Sequence, residues 1–440
     1  MQSPIKASPD SLYDREWHVD RDIPMSEDCL TLNIWTGGEA GEKLPVFVWY
    51  FGGGLQVGYT AEMEFDGERI ARRGIVVVTV NYRLNVFGFL CHPELTAEHP
   101  EAPGNFGFLD QQAATRWVKR NIAAFGGDPE NITIGGQSAG GMSVSAQMTC
   151  PANQGLFQRA IIQSGAFAPP YPSDLGLSHD LKEAERRGRE FFAFLGVDSL
   201  AAARAMDAWT LRDKTLEWDA RNGWGKTFGE AVDHVFSHRN SQQWFLDPNC
   251  LQIPVLMGHT GSEFLSSPEA RNEADLKAFA ERCFGEKADT FLSFFTRPAT
   301  KESIEREGRV SVIEFAIRAA LQAQDRKIFY YLFDAPIPGW DHPGTFHSVD
   351  LWFFFETLSK CWRPFRGPHY DLARQMCDYW CNFIRSGDPN GTDSQGEPLP
   401  PWPALDRDHP MRMVFAQTPE AEDCAANPLT RFLLSAYLSG

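Results

Sequence analysis

One serine of the chain, Ser138, lies in a Gly-x-Ser-x-Gly frame that can present its hydroxyl as a nucleophile. The β-branched run 132–134 before it predicts a strand, and the small and apolar residues 139–148 after it predict a helix. Gly136 and Gly140 fit this arrangement, because a Cβ at either position would obstruct the close approach of strand and helix. The alternative is a glycine-rich turn with a capping serine, and the flanking strand and helix favour the nucleophile.

A nucleophilic serine needs a base within hydrogen-bond reach and a carboxylate that orients this base. When the serine lies on a strand–helix turn, the acid and then the histidine follow it in the chain, on loops after later strands. Glu263 follows the apolar run 253–257, and His347 follows the run 328–333. They are the first candidates for acid and base. Position alone leaves competitors open, which are His259 and His342 for the base and Asp334 and Asp350 for the acid.

Three consecutive glycines, at 52–54, directly follow the apolar run 46–50. A continuous apolar run of this length is typical of a strand that is covered on both faces of a sheet. Glycines just beyond such a strand leave backbone N–H groups uncovered, so that a ligand can approach them closely. The segment therefore predicts a ligand-binding loop, with a flexible turn as the alternative.

The elements that must position these residues alternate along the chain. Strand patterns occur at 30–35, 46–50, 75–80, 132–134, 160–163, 253–257, 328–333 and 411–415. Helices are predicted at 61–73, 107–125 and 139–148. This order of strands and helices predicts an α/β fold with a mostly parallel central sheet and helices on both faces.

The whole chain, 1–440, is predicted to form one domain, since no internal repeat and no low-complexity linker divides it. Two helical insertions are expected, at 167–250 and at 265–325, and they should lie around the active site. Residues 1–28 carry no core pattern and are predicted to be irregular. Residues 387–403 are rich in glycine, proline and aspartate and predict a surface loop.

The composition argues against several classes of partner. A formal net charge of −17 disfavours nucleic acid and anionic membranes, because both require a positive protein surface. No apolar run approaches the roughly 18 residues of a membrane span, and the first residues lack the apolar segment of a signal peptide. Nine cysteines, an odd number in a long chain, favour free thiols in a reducing compartment. A cytoplasmic location is therefore expected.

A possible metal site is suggested by Cys377 and Cys381, four residues apart on a predicted helix, with Cys361 and His369 upstream. The aromatic residues of the same helix continue its apolar pattern, however, and buried cysteine is a common core residue. The core interpretation is favoured. Neither a metal nor a cofactor is predicted.

Several segments together resemble the type-B carboxylesterase family, which includes the cholinesterases. They are 26–35, 45–54, 81–83, 104–112, 121–129, the serine turn, and Gly-Asp-Pro-Asn-Gly at 387–391 with Pro-Trp-Pro at 401–403. The match runs from about residue 24 to the end of the chain and is weakest at 167–250. The resemblance implies an α/β-hydrolase fold and the hydrolysis of carboxylic esters through an acyl-enzyme.

Carried over position by position, the resemblance also implies roles for individual residues. Ser138 is the implied nucleophile, Glu263 the acid and His347 the base. The implied oxyanion-hole donors are the backbone N–H groups of Gly53, Gly54 and Ala139. This agrees with the loop pattern, because the N–H after a nucleophile and those of a glycine loop beyond a neighbouring strand converge on one point. A small-molecule ester is the expected partner.

Three features depart from the family pattern. Gln137 replaces the glutamate that is usual before the nucleophile, which removes a buried negative charge and favours neutral esters over cationic ones. Phe51 stands where many members have histidine, although the cholinesterases carry tyrosine there. The chain also starts where family members already have several dozen residues, including a cysteine that in secreted members pairs with the one aligned to Cys29. An inactive or binding-only member is therefore the alternative.

Aromatic residues near the candidate site offer one further hypothesis. Phe167, Phe346 and the aromatic run 352–355 could line an apolar pocket. A core role is favoured, because aromatic residues beside strands are more often plain core. The sequence carries no signal for the preferred acyl and alcohol groups or for the oligomeric state.

Overall fold

The computed structural model describes residues 12–17, 23–171, 178–323 and 326–439. Within these ranges the strands are β1 (Leu32–Trp35), β2 (Leu44–Tyr50), β3 (Val76–Val80), β4 (Gly127–Gln137), β5 (Arg159–Gln163), β6 (Ser178–Asp180), β7 (Glu230–Val232), β8 (Val255–Thr260), β9 (Leu265–Ser266), β10 (Val310–Ser311), β11 (Ile328–Phe333), β12 (Met411–Phe415) and β13 (Pro419–Asp423). Nine of them form one sheet in the order β1-β3-β2-β4-β5-β8-β11-β12-β13. The edge strands β1 and β13 are antiparallel to their neighbours, and the other pairs are parallel. The mostly parallel sheet is confirmed.

Helices connect most of these strands. The α-helices of the described residues are α1 (Leu12–Trp17), α2 (Glu68–Ala71), α3 (Asn85–Phe89), α4 (Pro93–Glu98), α5 (Phe106–Asn121), α6 (Ala139–Thr149), α7 (Leu181–Leu195), α8 (Leu200–Arg204), α9 (Ala208–Asn222), α10 (Glu273–Phe284), α11 (Ala288–Leu292), α12 (Lys301–Glu307), α13 (Val312–Ala323), α14 (Asp350–Phe354), α15 (Gly367–Ser386) and α16 (Pro428–Ser439). Short 3₁₀ segments occur at Met63–Phe65, Ile122–Phe125, Pro151–Asn153, Ser241–Leu246, Gly285–Lys287 and Leu358–Lys360.

Side chains of β2 alternate between two hydrophobic cores, one on each face of the sheet. Phe47 and Trp49 belong to the core that includes residues of α14 and α15. Val46, Val48 and Tyr50 belong to the core that includes residues of α13 and α16. Because both faces are covered, every one of these positions is buried, which explains the continuous apolar run in the sequence.

The predicted strands are found with small shifts at their ends. The runs at 328–333 and 411–415 coincide with β11 and β12, and those at 30–35 and 253–257 begin two residues late as β1 and β8. The run 132–134 is the centre of the longer β4. Strand β13 is not predicted, because it begins with a proline and is rich in acidic residues. Its edge position explains this composition, since an edge strand tolerates both.

The single helix predicted at 61–73 is wrong. The chain forms a 3₁₀ turn at Met63–Phe65 and then the short α2, with Gly67 between them. The ring of Phe65 packs against Trp49 and Phe355, with centroid distances of 5.7 and 5.9 Å. These core contacts direct the chain inward at Phe65, and a continuous helix would not allow this.

The prediction that residues 1–28 are irregular is also wrong in part, because α1 lies within them. Its residue Glu16 is fully buried and forms an ion pair with Arg363 (2.7 Å). A helix of six residues is too short to show a helical period, and its buried glutamate contradicts the usual preference of that residue type. Residues 1–11 and 18–22 of this prediction lie outside the described residues.

The two predicted insertions are rich in helix. The segment 167–250 contains α7, α8 and α9 together with the parallel pair β6 and β7, while 172–177 lie outside the described residues. The segment 265–325 contains α10 to α13 and the antiparallel pair β9 and β10. The organisation of 1–440 as one domain stays a prediction.

Candidate active site

Ser138 lies at the junction of β4 and α6, where the serine turn is predicted. Its backbone has φ 55° and ψ −125°, a conformation that non-glycine residues adopt only when the surrounding structure holds them in it. Its N–H donates to the carbonyl oxygen of Gln163 on β5 (2.9 Å). A Cβ at Gly140 would overlap the carbonyl oxygen of Tyr50 on β2. The strands on both sides of β4 therefore fix the turn.

Glu263 and His347 are brought together by the loops that follow β8 and β11. Nδ1 of His347 lies 2.7 Å from Oε2 of Glu263, and a parallel bridge between Ser262 and Phe346 joins the two loops. The second carboxylate oxygen, Oε1, accepts a hydrogen bond from the hydroxyl of Thr260 (2.9 Å). Burial alone would raise the pKa of the Glu263 carboxyl, but the charge and hydrogen bond of His347 lower this pKa below its ordinary value. Glu263 is therefore ionised at neutral pH.

The other ring nitrogen of His347 contacts the side chain of Gln137. The amide nitrogen of Gln137 lies 3.3 Å from Nε2 of the imidazole. When the Nδ1–H donates to Glu263, Nε2 retains its lone pair and accepts a hydrogen bond from the amide. This is the tautomer that a base toward serine requires. In the sequence, Gln137 is recognisable only as a missing negative charge, and its contact with His347 is not predicted.

The glycine loop after β2 approaches the serine turn. A Cβ at Gly52 would lie 3.1 Å from the Cβ of Ser138, and Gly53 and Gly54 have positive φ values of 101° and 64°. The backbone N–H groups of Gly53, Gly54 and Ala139 donate no hydrogen bond to any residue that the structure describes. Their role as oxyanion-hole donors stays a prediction.

Ser138 and His347 open into a cavity of about 290 Å³. The glycine loop forms part of its wall, and apolar side chains such as Val57, Phe65 and Leu351 form another part. Two carboxyl groups, those of Glu62 and Glu64, also line it, together with the rings of Tyr13, Trp224 and Phe264. These polar and aromatic wall residues have no counterpart among the predicted site residues. Apart from Glu62 and Glu64, which lie in one turn, they come from separate segments of the chain, and no motif connects these segments.

The aromatic residues considered in the sequence analysis lie elsewhere. Phe167 and Phe346 do not line this cavity. Residues 352–355 are fully buried in the hydrophobic core that contains α15, and the core interpretation of this run is confirmed.

The competing histidines do not contact the candidate acid through their rings. His259 is buried between the carbonyl oxygen of Thr260 (2.7 Å) and the hydroxyl of Tyr330 (2.9 Å). Burial lowers the pKa of His259, so the ring is neutral at neutral pH. His342 does not line the cavity.

The competing carboxylates also have other partners. Asp350 accepts a hydrogen bond from the hydroxyl of Tyr331 (2.7 Å), and Asp334 accepts one from the hydroxyl of Thr345 (3.1 Å). Burial raises the pKa of Asp350 to about 6. Of the three carboxylate candidates, Glu263 is the one that forms a hydrogen bond with His347.

The two cysteines considered for a metal site, Cys377 and Cys381, are fully buried in α15 and belong to the hydrophobic core. Within the described ranges, no group of three or more histidine, cysteine, aspartate or glutamate side chains is arranged to hold a metal ion. Among the helices built from these residues, none combines the length and apolar character needed to cross a lipid bilayer.

The chain matches a model of the carboxylesterase family over residues 3–307 and 307–431. It is 30% identical over 381 residues to a para-nitrobenzyl esterase of Bacillus subtilis, covering 83% of this chain and 76% of that protein. It is 32% identical over 422 residues to a human cocaine esterase, covering 87% and 71%. A mouse acylcarnitine hydrolase is 33% identical over 421 residues, covering 88% and 71%.

Solved structures agree with these similarities. A structure titled PNB esterase superimposes with a TM-score of 0.74 at 28% identity, covering 93% of this chain and 85% of the other. The carboxylesterase EST55 of Geobacillus stearothermophilus gives a TM-score of 0.69 at 31% identity, covering 94% and 86%.

The sheet, the serine turn and the similar proteins define a carboxylic ester hydrolase with the α/β-hydrolase fold. The chain belongs to the carboxylesterase family. Because the relatives described above are named for hydrolytic activity, they do not support the alternative of an inactive or binding-only protein.

Proposed function

We propose that the chain hydrolyses small neutral carboxylic esters through an acyl-enzyme formed on Ser138. The observation that carries this proposal is the 2.7 Å hydrogen bond between His347 and Glu263, made beside the cavity that Ser138 lines. A histidine that is oriented by an ionised carboxylate can accept the proton of a serine hydroxyl at its other nitrogen.

In the first half-reaction, Oγ of Ser138 attacks the ester carbonyl carbon while Nε2 of His347 takes the hydroxyl proton. The carbonyl oxygen becomes an oxyanion, which accepts hydrogen bonds from the N–H groups of Gly53, Gly54 and Ala139. The bond to the alcohol oxygen then breaks, and the imidazolium gives its proton to the departing alcohol. The acyl group remains on Oγ.

In the second half-reaction, water attacks the acyl carbon and His347 takes a proton from it. The same oxyanion forms again. When the bond to Oγ breaks, the imidazolium returns the proton to Ser138 and the carboxylic acid leaves. Glu263 holds the imidazole in its tautomer and stabilises the imidazolium in both half-reactions.

The preference for small neutral esters has two supports. Gln137 provides a neutral amide beside His347, and the cavity of about 290 Å³ is modest in size. A neutral group next to the base provides no counterion for a cationic substrate.

Replacement of Ser138 tests the mechanism. The variant Ser138→Ala should lower kcat for p-nitrophenyl acetate by roughly a million-fold, because it removes the nucleophile. Ser145→Ala is a matched control, since Ser145 lies on the same helix and its hydroxyl bonds to the carbonyl oxygen of Gly141. This control should retain turnover. If Ser138→Ala is as active as the wild type, the proposed mechanism is wrong.

Covalent labelling separates an active enzyme from the inactive alternative. A fluorophosphonate ester should modify the wild-type protein at Ser138, and mass spectrometry of the peptide that contains the serine turn identifies the site. The Ser138→Ala variant should remain unlabelled. A wild-type protein that neither reacts with the probe nor hydrolyses any ester would support the inactive alternative.

We also infer a reducing compartment, the cytoplasm, as the location of the protein. The eight cysteines other than Cys29 are free thiols in the described part of the chain, and most of them are buried. Fractionation of the source cells tests this inference, and recovery of the protein outside the cytoplasmic fraction would overturn it.

A further inference from the structure

A buried carboxyl group with one unpaired oxygen faces the cavity in front of Ser138. Glu64 lines this cavity although only 1% of its surface is exposed. Its Oε2 atom accepts no hydrogen bond from any residue that the structure describes. Because a buried polar atom is destabilising when it is left unpaired, this oxygen indicates that the cavity binds a polar group.

A second carboxyl group stands beside the first. Glu62 lines the same cavity, and its Oε1 accepts a hydrogen bond from the backbone N–H of Tyr59 (2.9 Å). Its carboxyl group also shares a hydrogen bond with that of Glu64. Glu62 and Glu64 flank Met63 at the 3₁₀ turn, so the backbone fixes their spacing. We call Glu62 and Glu64 the carboxyl pair.

The carboxyl pair holds a proton near neutral pH. Burial raises the pKa of Glu62 to about 7. Burial and the charge of Glu62 raise the pKa of Glu64 well above its ordinary value. Glu16, which lies close enough to act on Glu64, is itself paired with Arg363. The pair therefore presents both an O–H donor and carboxyl acceptors, and it carries no more than one negative charge.

This combination distinguishes between kinds of ligand. A substituted ammonium group has no acceptor atom, and it would bind best to a fully ionised pair. A hydroxyl group donates one hydrogen bond and accepts another, so that it matches a pair that carries one proton. The apolar wall around the pair, formed by Val57, Phe65 and Leu351, suits the carbon skeleton of such a ligand.

We propose that Glu62 and Glu64 form a subsite for a hydroxyl group of the substrate, which makes hydroxylated esters the preferred substrate class. The proposal rests on the proposed function, since the subsite acts on esters that react at Ser138. It extends that function by assigning a recognition role to two residues outside the nucleophile, base and acid.

Matched pairs of esters test the subsite on either side of the scissile bond. On the alcohol side, glycerol monoacetate is compared with propyl acetate. On the acyl side, p-nitrophenyl 3-hydroxybutanoate is compared with p-nitrophenyl butanoate. In at least one pair, the wild-type enzyme should have a kcat/KM about tenfold higher for the hydroxylated ester, which is the effect expected of one hydrogen bond to a buried acidic group.

The variants identify the groups responsible. Glu64→Met keeps the length of the side chain and removes its hydrogen bonds, so it should abolish the hydroxyl preference, measured as the ratio of the two kcat/KM values within each ester pair. Glu64→Gln keeps a donor and an acceptor and should retain part of the preference. Glu68→Met is a matched control on the exposed start of α2 and should behave as the wild type.

Four outcomes would overturn the subsite. The first is an equal kcat/KM within both ester pairs for the wild-type enzyme, and the second is a hydroxyl preference that is unchanged in Glu64→Met. The third is a loss of kcat/KM in Glu64→Met that is equal for both members of a pair. The fourth is a Glu64-dependent preference for 2-(trimethylammonio)ethyl acetate over its uncharged 3,3-dimethylbutyl analogue. Plain esters are still hydrolysed in these cases, so the proposed function survives. Absence of turnover of every ester would overturn the function and the subsite together.

Discussion

The side-chain nitrogen of Gln137 lies 3.3 Å from Nε2 of His347, while Nδ1 of the same ring lies 2.7 Å from Glu263. The imidazole is therefore held at both nitrogens before any substrate binds. In the proposed reaction, the Nε2 lone pair must accept the proton of Ser138. A charged side chain at position 137 would therefore act directly on Nε2 of His347.

The substitution Gln137→Glu should change the pH dependence of the reaction. A carboxylate near Nε2 stabilises the protonated imidazole, which cannot act as a base. The acid limb of kcat/KM for p-nitrophenyl acetate should move to higher pH by about one pH unit or more. Gln137→Met is the neutral control and should leave the limb in place. Identical pH profiles for the Glu variant and the wild type would contradict this role of Gln137.

The substitution Glu263→Gln should slow catalysis while it leaves the fold in place. The amide has almost the same shape, but it cannot stabilise the imidazolium or impose the same tautomer on His347. We expect kcat for p-nitrophenyl acetate to fall by about ten-thousand-fold, as for other oriented histidines that lose their carboxylate. Thermal unfolding measured in parallel separates a catalytic loss from unfolding. Asp334→Asn is the control, and an equal loss in this variant would argue against Glu263 as the orienting acid.

Removing one partner of the buried Glu16–Arg363 pair should destabilise the protein. The side chains of both residues are fully buried, and Arg363 also bonds to Asp341. Arg363→Met leaves the buried Glu16 carboxylate without its cationic partner, so the free energy of unfolding should fall by about 3 to 5 kcal/mol in urea titrations. Arg72→Met breaks the exposed pair with Glu68 and should cost at most about 1 kcal/mol. Similar losses for the two variants would show that burial of the first pair has no energetic effect.

Glu230 should make the stability of the protein depend on pH. This buried carboxyl group accepts hydrogen bonds from the hydroxyls of Ser237 (2.7 Å) and Ser241 (2.8 Å), and burial raises its pKa to about 7. The folded state keeps this proton up to about pH 7, whereas the unfolded chain releases it near pH 4.5. The stabilisation is complete below pH 4.5 and is lost as the pH rises through 7.

The loss attributable to Glu230 is about 3 kcal/mol across this range, at about 1.4 kcal/mol per pH unit of displacement. Glu230→Gln should therefore flatten the decline of the free energy of unfolding between pH 5 and 7.5, measured by urea titration at each pH. Glu190→Gln, on the exposed surface of α7, is the control and should follow the wild-type curve. A Glu230→Gln curve as steep as that of the wild type would contradict the assignment.

The sequence predicts the sheet well because its strands are covered on both faces and read as continuous β-branched and aromatic runs. It also places Ser138, Glu263 and His347 after three strands of this sheet, and parallel strands bring such loops to one edge. Their catalytic roles stay predictions. By contrast, the turn at Met63–Phe65 is set by contacts of Phe65 with distant aromatic rings, which no local pattern contains. The carboxyl pair is not predicted for the same reason, because Glu62 and Glu64 lie at this turn.

The ion pair of Glu16 with Arg363 spans 347 residues of the chain, and this separation constrains the order of events during biosynthesis. At about 5 to 20 residues per second, a ribosome needs roughly 20 to 70 s between these two residues. The ring of Tyr13 on α1 meets Phe346 from the same late part of the chain, at a centroid distance of 6.4 Å. Tyr13, the first residue of the cavity wall to be synthesised, is therefore among the last to reach its final position. The nascent chain contains the serine turn for many seconds before the wall of the cavity in front of it is complete.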